Sequence, residues 1–333
     1  MSAPLPAIGG YFELELARGE SEFHRRARRY QSARAALLAL LRAGRPAALW
    51  LPWYICDCML EPPAMANIPV RRYALDESLR VVDAQPDADD WLLYVNYFGI
   101  CGRNVAETLR RFDPARVIVD NCQAFFDAPA NCLATLYSPR KFLGVPDGGY
   151  LYSRLEAPEP DETDDGSFAR CAHLLKRLGG NPEAGYADFV AADASLAGQE
   201  PKRMSRLTQT LLSRLPYSDI QARRTANFAW LHERLSEDND FPLDPQGDEA
   251  PLCYPYRSRD ACAPETLHAR RIYVPRYWQS VAESKNVPAF ESALAHDTLF
   301  LPCDQRMTTA QLERLLDVLL ARTGRMNALR CMA

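Results

Sequence analysis

The chain has 333 residues, 47% of them hydrophobic and 25% charged, which is enough length for a large core in two domains or in one domain with an appendage. A net charge of −4 argues against a nucleic-acid partner, because binding a phosphate backbone needs a concentrated basic face. No apolar run nears the roughly 20 residues that span a bilayer, and "MSAPLPAIGGYFELEL" lacks the basic and apolar regions of a signal peptide, so a cytoplasmic location without membrane contact is expected.

From about Tyr30 to Ser153, short β-rich runs alternate with helical ones. "YQSARAALLALLRAG" carries apolar residues at helical spacing and stops at Gly44, and "AALWLP" follows as a buried strand ending at Pro52. "PVRRYAL", "DDWLLYVNYFG", "ARVIVD", "CLATLYS" and "GGYLYS" are further strands, and "NVAETLRRF" is a helix with Asn104 as its cap and Glu107 three residues later. Such alternation predicts a mainly parallel sheet between helices, with ligands gathering at the carboxyl ends of the strands.

"EAPEPDETDDGS" reads as a surface loop before a helical stretch that includes "SDIQARRTANFAWLHERL", where Ser218 and Gln221 are spaced as a capping box. "EDNDFPLDPQGDEAP" reads as a linker. The last ninety or so residues mix the strand candidates "CYPYRS" and "RRIYVPRYW" with a final helix capped by Thr308 and Gln311, whose Leu312, Leu315, Leu316 and Leu319 share one face. The expected division is a large α/β domain over 1–236, including helices over 167–236, and a small α+β domain over 237–333.

Ten cysteines run from Cys56 to Cys331 without a CxxC pair, and they read as reduced, buried thiols. "CDC" at 56–58 offers two ligands with no partner cluster, so no metal is expected. Neither a dinucleotide fingerprint nor a P-loop is present.

Of 39 basic residues only Lys141, Lys176, Lys202 and Lys285 are lysines, leaving 35 arginines. Arginine serves an ion pair or an anion clamp as well as lysine or better, but it does not readily lose its proton and form an imine. Lys141, in "LYSPRKFLGVPDGG", is therefore a candidate reactive amine. Asp120 ends "ARVIVD" and Lys141 follows "CLATLY", so a parallel sheet brings both to one cleft; a buried ion pair is the plain alternative. At the start of "QSARAALLALL", the backbone N–H groups of Ser32, Ala33 and Arg34 are placed to hold an anion with the helix dipole behind them.

A Schiff-base lysine, a carboxylate for a pyridine nitrogen and a helix N-terminus for a phosphate are together what pyridoxal phosphate requires. From about Ile8 to Leu320 the sequence resembles the DegT/DnrJ/EryC1/StrS group of fold-type-I, pyridoxal-phosphate-dependent sugar aminotransferases. "VIVDNCQAFF" is similar to that family's Asp-x-x-Gln-Ala segment, "SPRKFLGVPDGGYL" to its lysine and acidic-Gly-Gly turn, and "LFLPCDQRMTTAQLERLLDVL" to its final strand and helix.

The resemblance implies Lys141 as the Schiff-base lysine and proton carrier, Asp120 as the partner of the pyridinium and Gln123 as a contact beside the cofactor. It also implies Ser138 as a phosphate anchor and Asn96 near the phenolic oxygen. Tyr54, or Trp53 beside it, would stack on the ring, with Tyr54 preferred. Asn96 also suits a turn, and Tyr54 or Trp53 a core. Arg34, Arg203, Arg271 and Arg276 are candidates for a substrate phosphate or carboxylate.

Three positions depart from the family pattern: Leu136 replaces a serine, Gln31-Ser32 replaces Gly-Thr, and "PKRMS" replaces a loop, usually Asn-Tyr-Arg-Met-Ser, that reaches the neighbouring cofactor across a dimer. The implied activity is transfer of an amino group from glutamate or glutamine to a keto-sugar nucleotide by a homodimer, in amino-sugar or surface-polysaccharide synthesis. A sugar dehydratase and a non-catalytic scaffold on the same fold are the alternatives.

Overall fold

The computed structural model describes residues 10–17, 19, 21–247, 249–259 and 261–321. Its main sheet has the strand order β1-β7-β6-β5-β4-β2-β3, from β1 (Arg28–Tyr30), β2 (Leu49–Pro52), β3 (Val70–Tyr73), β4 (Trp91–Val95), β5 (Val117–Asp120), β6 (Ala134–Tyr137) and β7 (Gly149–Ser153). Strands β2 to β6 run parallel, while β7 and then β1 close one side in antiparallel pairs. Every residue of β4, β5 and β6 is buried, as expected of strands covered on both faces. The carboxyl ends at Pro52, Val95, Asp120 and Tyr137 therefore share one edge.

Helix α1 (Ala33–Gly44) is buried along Leu37, Leu38, Leu40 and Leu41, and Ser32 caps it by accepting the Ala35 N–H. Its apolar surface wraps too far round for a surface helix, because it lies between the sheet and α2 (Glu61–Ala66). Helix α3 (Gly102–Arg111) joins β4 to β5. It starts two residues before the expected Asn104 cap, since Asn96 Oδ1 takes the Cys101 N–H at the entry and the Asn104 amide is drawn away to the Ser78 carbonyl.

A helical arm follows the sheet: α4 (Ser167–Arg170), α5 (Ala172–Gly179), α6 (Pro182–Ala194), α7 (Arg206–Leu212) and α8 (Tyr217–Leu235). Pro216, which has no N–H to lose, precedes α8 and places Ser218 inside the first turn, so the expected Ser218–Gln221 box does not form. Tyr217 and Ile220 pack in the core around the main sheet, whereas Phe228, Leu231 and Leu235 pack in a second core. One helix thus serves both cores.

The second core holds a two-stranded sheet of β8 (Tyr254–Tyr256) and β9 (Leu299–Leu301), with α9 (Pro264–Ala269) and α12 (Thr309–Leu319). Helices α10 (Gln279–Glu283) and α11 (Ala289–Asp297) lie between α9 and β9. The Thr308–Gln311 capping box is present at α12. "RRIYVPRYW" is not a strand: Arg271 and Trp278 take left-handed φ of 56° and 58°, Pro275 has no ladder donor, and β8 pairs with β9 instead.

Candidate functional site

Lys141 ends a 3-10 turn, Pro139–Lys141, directly after β6. Proline at the turn's first position presets its geometry, and the Phe142 and Leu143 N–H groups both bond to the Pro139 carbonyl. The Phe142 carbonyl accepts from Gln305 at 2.9 Å and from Arg224 at 3.3 Å, and the Arg224 guanidinium lies 4.4 Å over the Phe142 ring. Arg224 is fully buried and also donates to the Pro251 carbonyl at 2.9 Å, so a buried cation ties the lysine turn to the segment leading into β8.

The Lys141 side chain is reached by solvent, yet protein groups surround its ammonium. Among the described residues its Nζ makes no hydrogen bond or ion pair. Burial alone would lower its pKa, but Cys122 and Asp120, and then Cys56 and Cys58, outweigh that and hold it above the ordinary value. Asp120, at the end of β5, is buried and accepts the Cys122 N–H at 2.9 Å through Oδ1. Lysine, aspartate and three thiols thus meet at the carboxyl edge of β2, β5 and β6.

The start of α1 is fixed beside this cluster by the Asp147-Gly148-Gly149 turn. Gly148 takes a φ of +122° and donates its N–H to the Gln31 carbonyl at 2.8 Å. A Cβ on Gly149 would collide with the backbone of Ser32 and Ala33, so β7 passes against the helix start only because this residue has no side chain. The Ala33 and Arg34 N–H groups lie in the first turn of α1, where the helix itself supplies no acceptor. Half-buried Ser138 has a hydroxyl with no partner among the described residues.

Asn96 is elsewhere. Its amide donates to Asn121 at 3.2 Å and Asp127 at 2.8 Å, lining a cavity of about 590 Å³ with Arg103 of α3 and with Val119 and Asn121. Val119 and Asn121 flank Asp120 along the chain, so the alternation of a strand puts Asn96 and Asp120 on opposite sides of the sheet. Gln123 is buried: its Oε1 accepts the Phe98 N–H at 2.8 Å, and its Nε2 has no hydrogen-bond partner among the described residues.

Tyr54 is fully buried, its ring centre 4.4 Å from Trp278 and 5.7 Å from Tyr97, and it presents no surface to a ligand. Trp53 is the aromatic that keeps open surface, with the Arg72 guanidinium 5.4 Å over its ring.

The candidate arginines are engaged. Arg34 pairs with Glu61 at 3.1 Å, Arg271 with Glu183 at 2.7 Å and Arg276 with Glu265, while Arg203 donates to the Asp161 carbonyl at 2.7 Å. Gln31, at the family's glycine position, takes the Lys202 N–H and donates to the Glu200 carbonyl, so the "PKRMS" loop lies against the start of α1 in its own chain.

This edge of lysine, aspartate and helix N-terminus lies on the fold of the fold-type-I aminotransferases that use pyridoxal phosphate. Solved structures that share that fold include the following three. The sugar aminotransferase CalS13 from Micromonospora echinospora is 15% identical over 88% of this chain and 86% of its own, with a TM-score of 0.59. NtdA from Bacillus subtilis, solved with bound cofactor PMP, is 12% identical over 89% and 72%, with a TM-score of 0.61. DesI, solved in the presence of its TDP-sugar product, is 17% identical over 92% and 83%, with a TM-score of 0.60. No protein-family model matches the sequence, and no curated protein does.

The residues present fit pyridoxal phosphate. Lys141, whose Nζ makes no hydrogen bond or ion pair among the described residues, suits its aldehyde, Asp120 its ring nitrogen and the first-turn N–H groups of α1 its phosphate, while Gln123 Nε2 is a spare donor among the described residues. The sequence marked the cysteines only as reduced, buried thiols, whereas Cys56 and Cys58 are half-buried and lie with Cys122 around Lys141. Cys122 stands two residues after Asp120, and "CDC" follows the end of β2, which is the signal that places them at this edge. Nothing in an arginine-rich sequence singles out Arg224.

Proposed function

We propose that this protein is a pyridoxal-phosphate-dependent aminotransferase that moves an amino group from glutamate or glutamine to a keto-sugar nucleotide, in amino-sugar or surface-polysaccharide synthesis. The observation that carries the reading is Lys141, solvent-reached and with no hydrogen bond or ion pair among the described residues, facing Asp120 at the carboxyl edge of a sheet with the aminotransferase fold. The sugar substrate is supported by the neighbours, which include a sugar aminotransferase and one solved beside a TDP-sugar product.

When bound, the cofactor supplies an aldehyde and a ring able to accept an electron pair. The rest falls to this chain's residues. Asp120 keeps a proton on the ring nitrogen. Lys141 Nζ takes the proton from the donor's α-carbon and later returns one to the amino acceptor, as base and then acid. The first-turn N–H groups of α1, with Ser138, hold the phosphate. Trp53, with its open surface, suits a stacking role better than Tyr54. A homodimer in the cytoplasm completes the reading, and its dimerisation is supported by exposed apolar residues on α4 to α6.

One observation favours the scaffold alternative: Tyr54, Asn96 and Gln123 all lack open surface. A single experiment separates the two. The protein is mixed with pyridoxal phosphate, its absorption spectrum is recorded, and borohydride is added, with Lys141→Ala in parallel. A cofactor band that borohydride fixes covalently to wild type and not to Lys141→Ala is the expected result. Absence of that lysine-dependent adduct would leave the fold without the chemistry.

A further inference from the structure

The reaction proposed above has no use for the thiols around Lys141. Cys56 and Cys58 flank Asp57 at the start of the 3-10 turn Asp57–Met59, just past the end of β2. Cys58 Sγ donates to Cys56 Sγ across 2.8 Å, so the two sulfurs are already neighbours. Both residues are half-buried, whereas Cys122 on the same cluster is buried. Positive charge from Lys141 and Arg34 acts on both.

The pair shares a proton unequally. The Cys58 S–H bond is the main cause that holds the Cys56 thiol below its ordinary pKa, helped by Lys141 and Arg34, and the same bond and burial push Cys58 up. One sulfur is thus a thiolate in waiting and the other a resolving thiol beside it, the arrangement of redox-responsive cysteines in reducing compartments.

We propose that Cys56 and Cys58 are a dithiol modification site at the Lys141 cleft, which reacts with a low-molecular-weight disulfide and closes into a reversible intrachain disulfide. The Cys56 thiolate attacks one sulfur of the small disulfide, forming a mixed disulfide and expelling the other half as a thiolate. Cys58 then gives its proton to solvent and attacks the Cys56 sulfur, expelling the second half. Two protein thiols are oxidised to one disulfide, and one small disulfide is reduced to two thiols. Closure removes the negative charge that the Cys56 thiolate contributes beside the ammonium, so Lys141 Nζ loses its proton more easily in the oxidised form. The thiol chemistry stands whether or not the cleft binds pyridoxal phosphate.

The test treats folded full-length protein with glutathione disulfide, quenches with acid, alkylates the remaining thiols and maps the peptides by mass spectrometry. In wild type the Cys56–Cys58 peptide should lose two hydrogens, resist alkylation and recover with a reductant. Cys58→Ser should instead accumulate glutathione on Cys56, and Cys56→Ser should react at least tenfold more slowly at Cys58. Oxidised wild type should also show faster acylation of Lys141 at neutral pH, a readout independent of enzymatic activity. The proposal is overturned if the folded wild type leaves Cys56 alkylatable, if Cys56 pairs with Cys122, or if wild type holds glutathione on Cys56 as Cys58→Ser does. Because wild type alone can yield each of these, a variant that fails to fold does not blunt the test.

Discussion

His24 shows what burial does to one titratable group. It is 2% exposed, donates from Nε2 to the Phe125 carbonyl at 2.7 Å, and packs 4.0 Å from the Tyr137 ring centre, on β6 just before the lysine turn. Burial lowers its pKa from 6.5 to about 4, only partly opposed by the Phe125 bond. The folded state therefore resists protonation that the unfolded state accepts. Its contribution to stability is complete above pH 6.5 and drains away as the pH falls from 6.5 through about 4. The full loss is about 3 kcal/mol at 1.36 kcal/mol per pKa unit. Urea midpoints measured across that range should fall with pH in wild type and fall less steeply in His24→Gln, which keeps a donor and has nothing to titrate. Equal slopes would place the acid sensitivity elsewhere. At this same scale the sequence singles out Lys141 as a lysine kept among arginines, and the structure places it beside Asp120 and Cys122.

Elements were legible where periodicity and chemistry agreed. The strands from β2 to β7 and the Leu-rich α1 and α12 follow from apolar runs with clear stops, and Thr308 is a cap in the structure as it is in pattern. The starts of α3 and α8 were not legible, since distant carbonyls and a proline decide them. The turn at Gly148 and Gly149 shows how an element boundary controls the site. Gly149→Ala forces a methyl group into the Ser32–Ala33 backbone, which cannot swing aside as a side chain could. It should cost roughly 1–3 kcal/mol of stability, the usual range for overpacking. It should also shift the first turn of α1 and weaken pyridoxal phosphate binding, measured by fluorescence titration, by tenfold or more. A variant of unchanged stability and affinity would show that α1 is not held by this contact.

At the scale of the whole molecule, α4 to α6 leave Phe168 76% and Leu178 81% exposed, with Leu175, Tyr186, Phe189 and Val190 also open. Scattered apolar residues are ordinary on a surface, but this many on one short helical arm mark a face that gains by being covered. Sedimentation equilibrium of wild type should give twice the chain mass, and the pair Leu178→Glu with Phe189→Glu should give the chain mass, with pyridoxal phosphate binding weakened. A monomeric wild type would remove the homodimer from the reading. Among the described residues, no helix is long and apolar enough to cross a membrane.

By itself the sequence determined what local rules can determine: most of the strands and helices of the main sheet, that this sheet is mainly parallel, and that Asp120 ends one strand while Lys141 lies just past another. Those follow from side-chain spacing and from the backbone needs of Gly, Pro and capping residues, each set within a few positions along the chain. Only the tertiary structure decided which groups face each other. It put Asn96 and Asp120 on opposite sides of one sheet, enclosed Tyr54 between Trp278 and Tyr97, paired Gln31 with the 200–202 segment, and brought Cys56, Cys58 and Cys122 to the lysine. Contacts between residues far apart in sequence depend on how layers pack, and no short window of sequence carries that information.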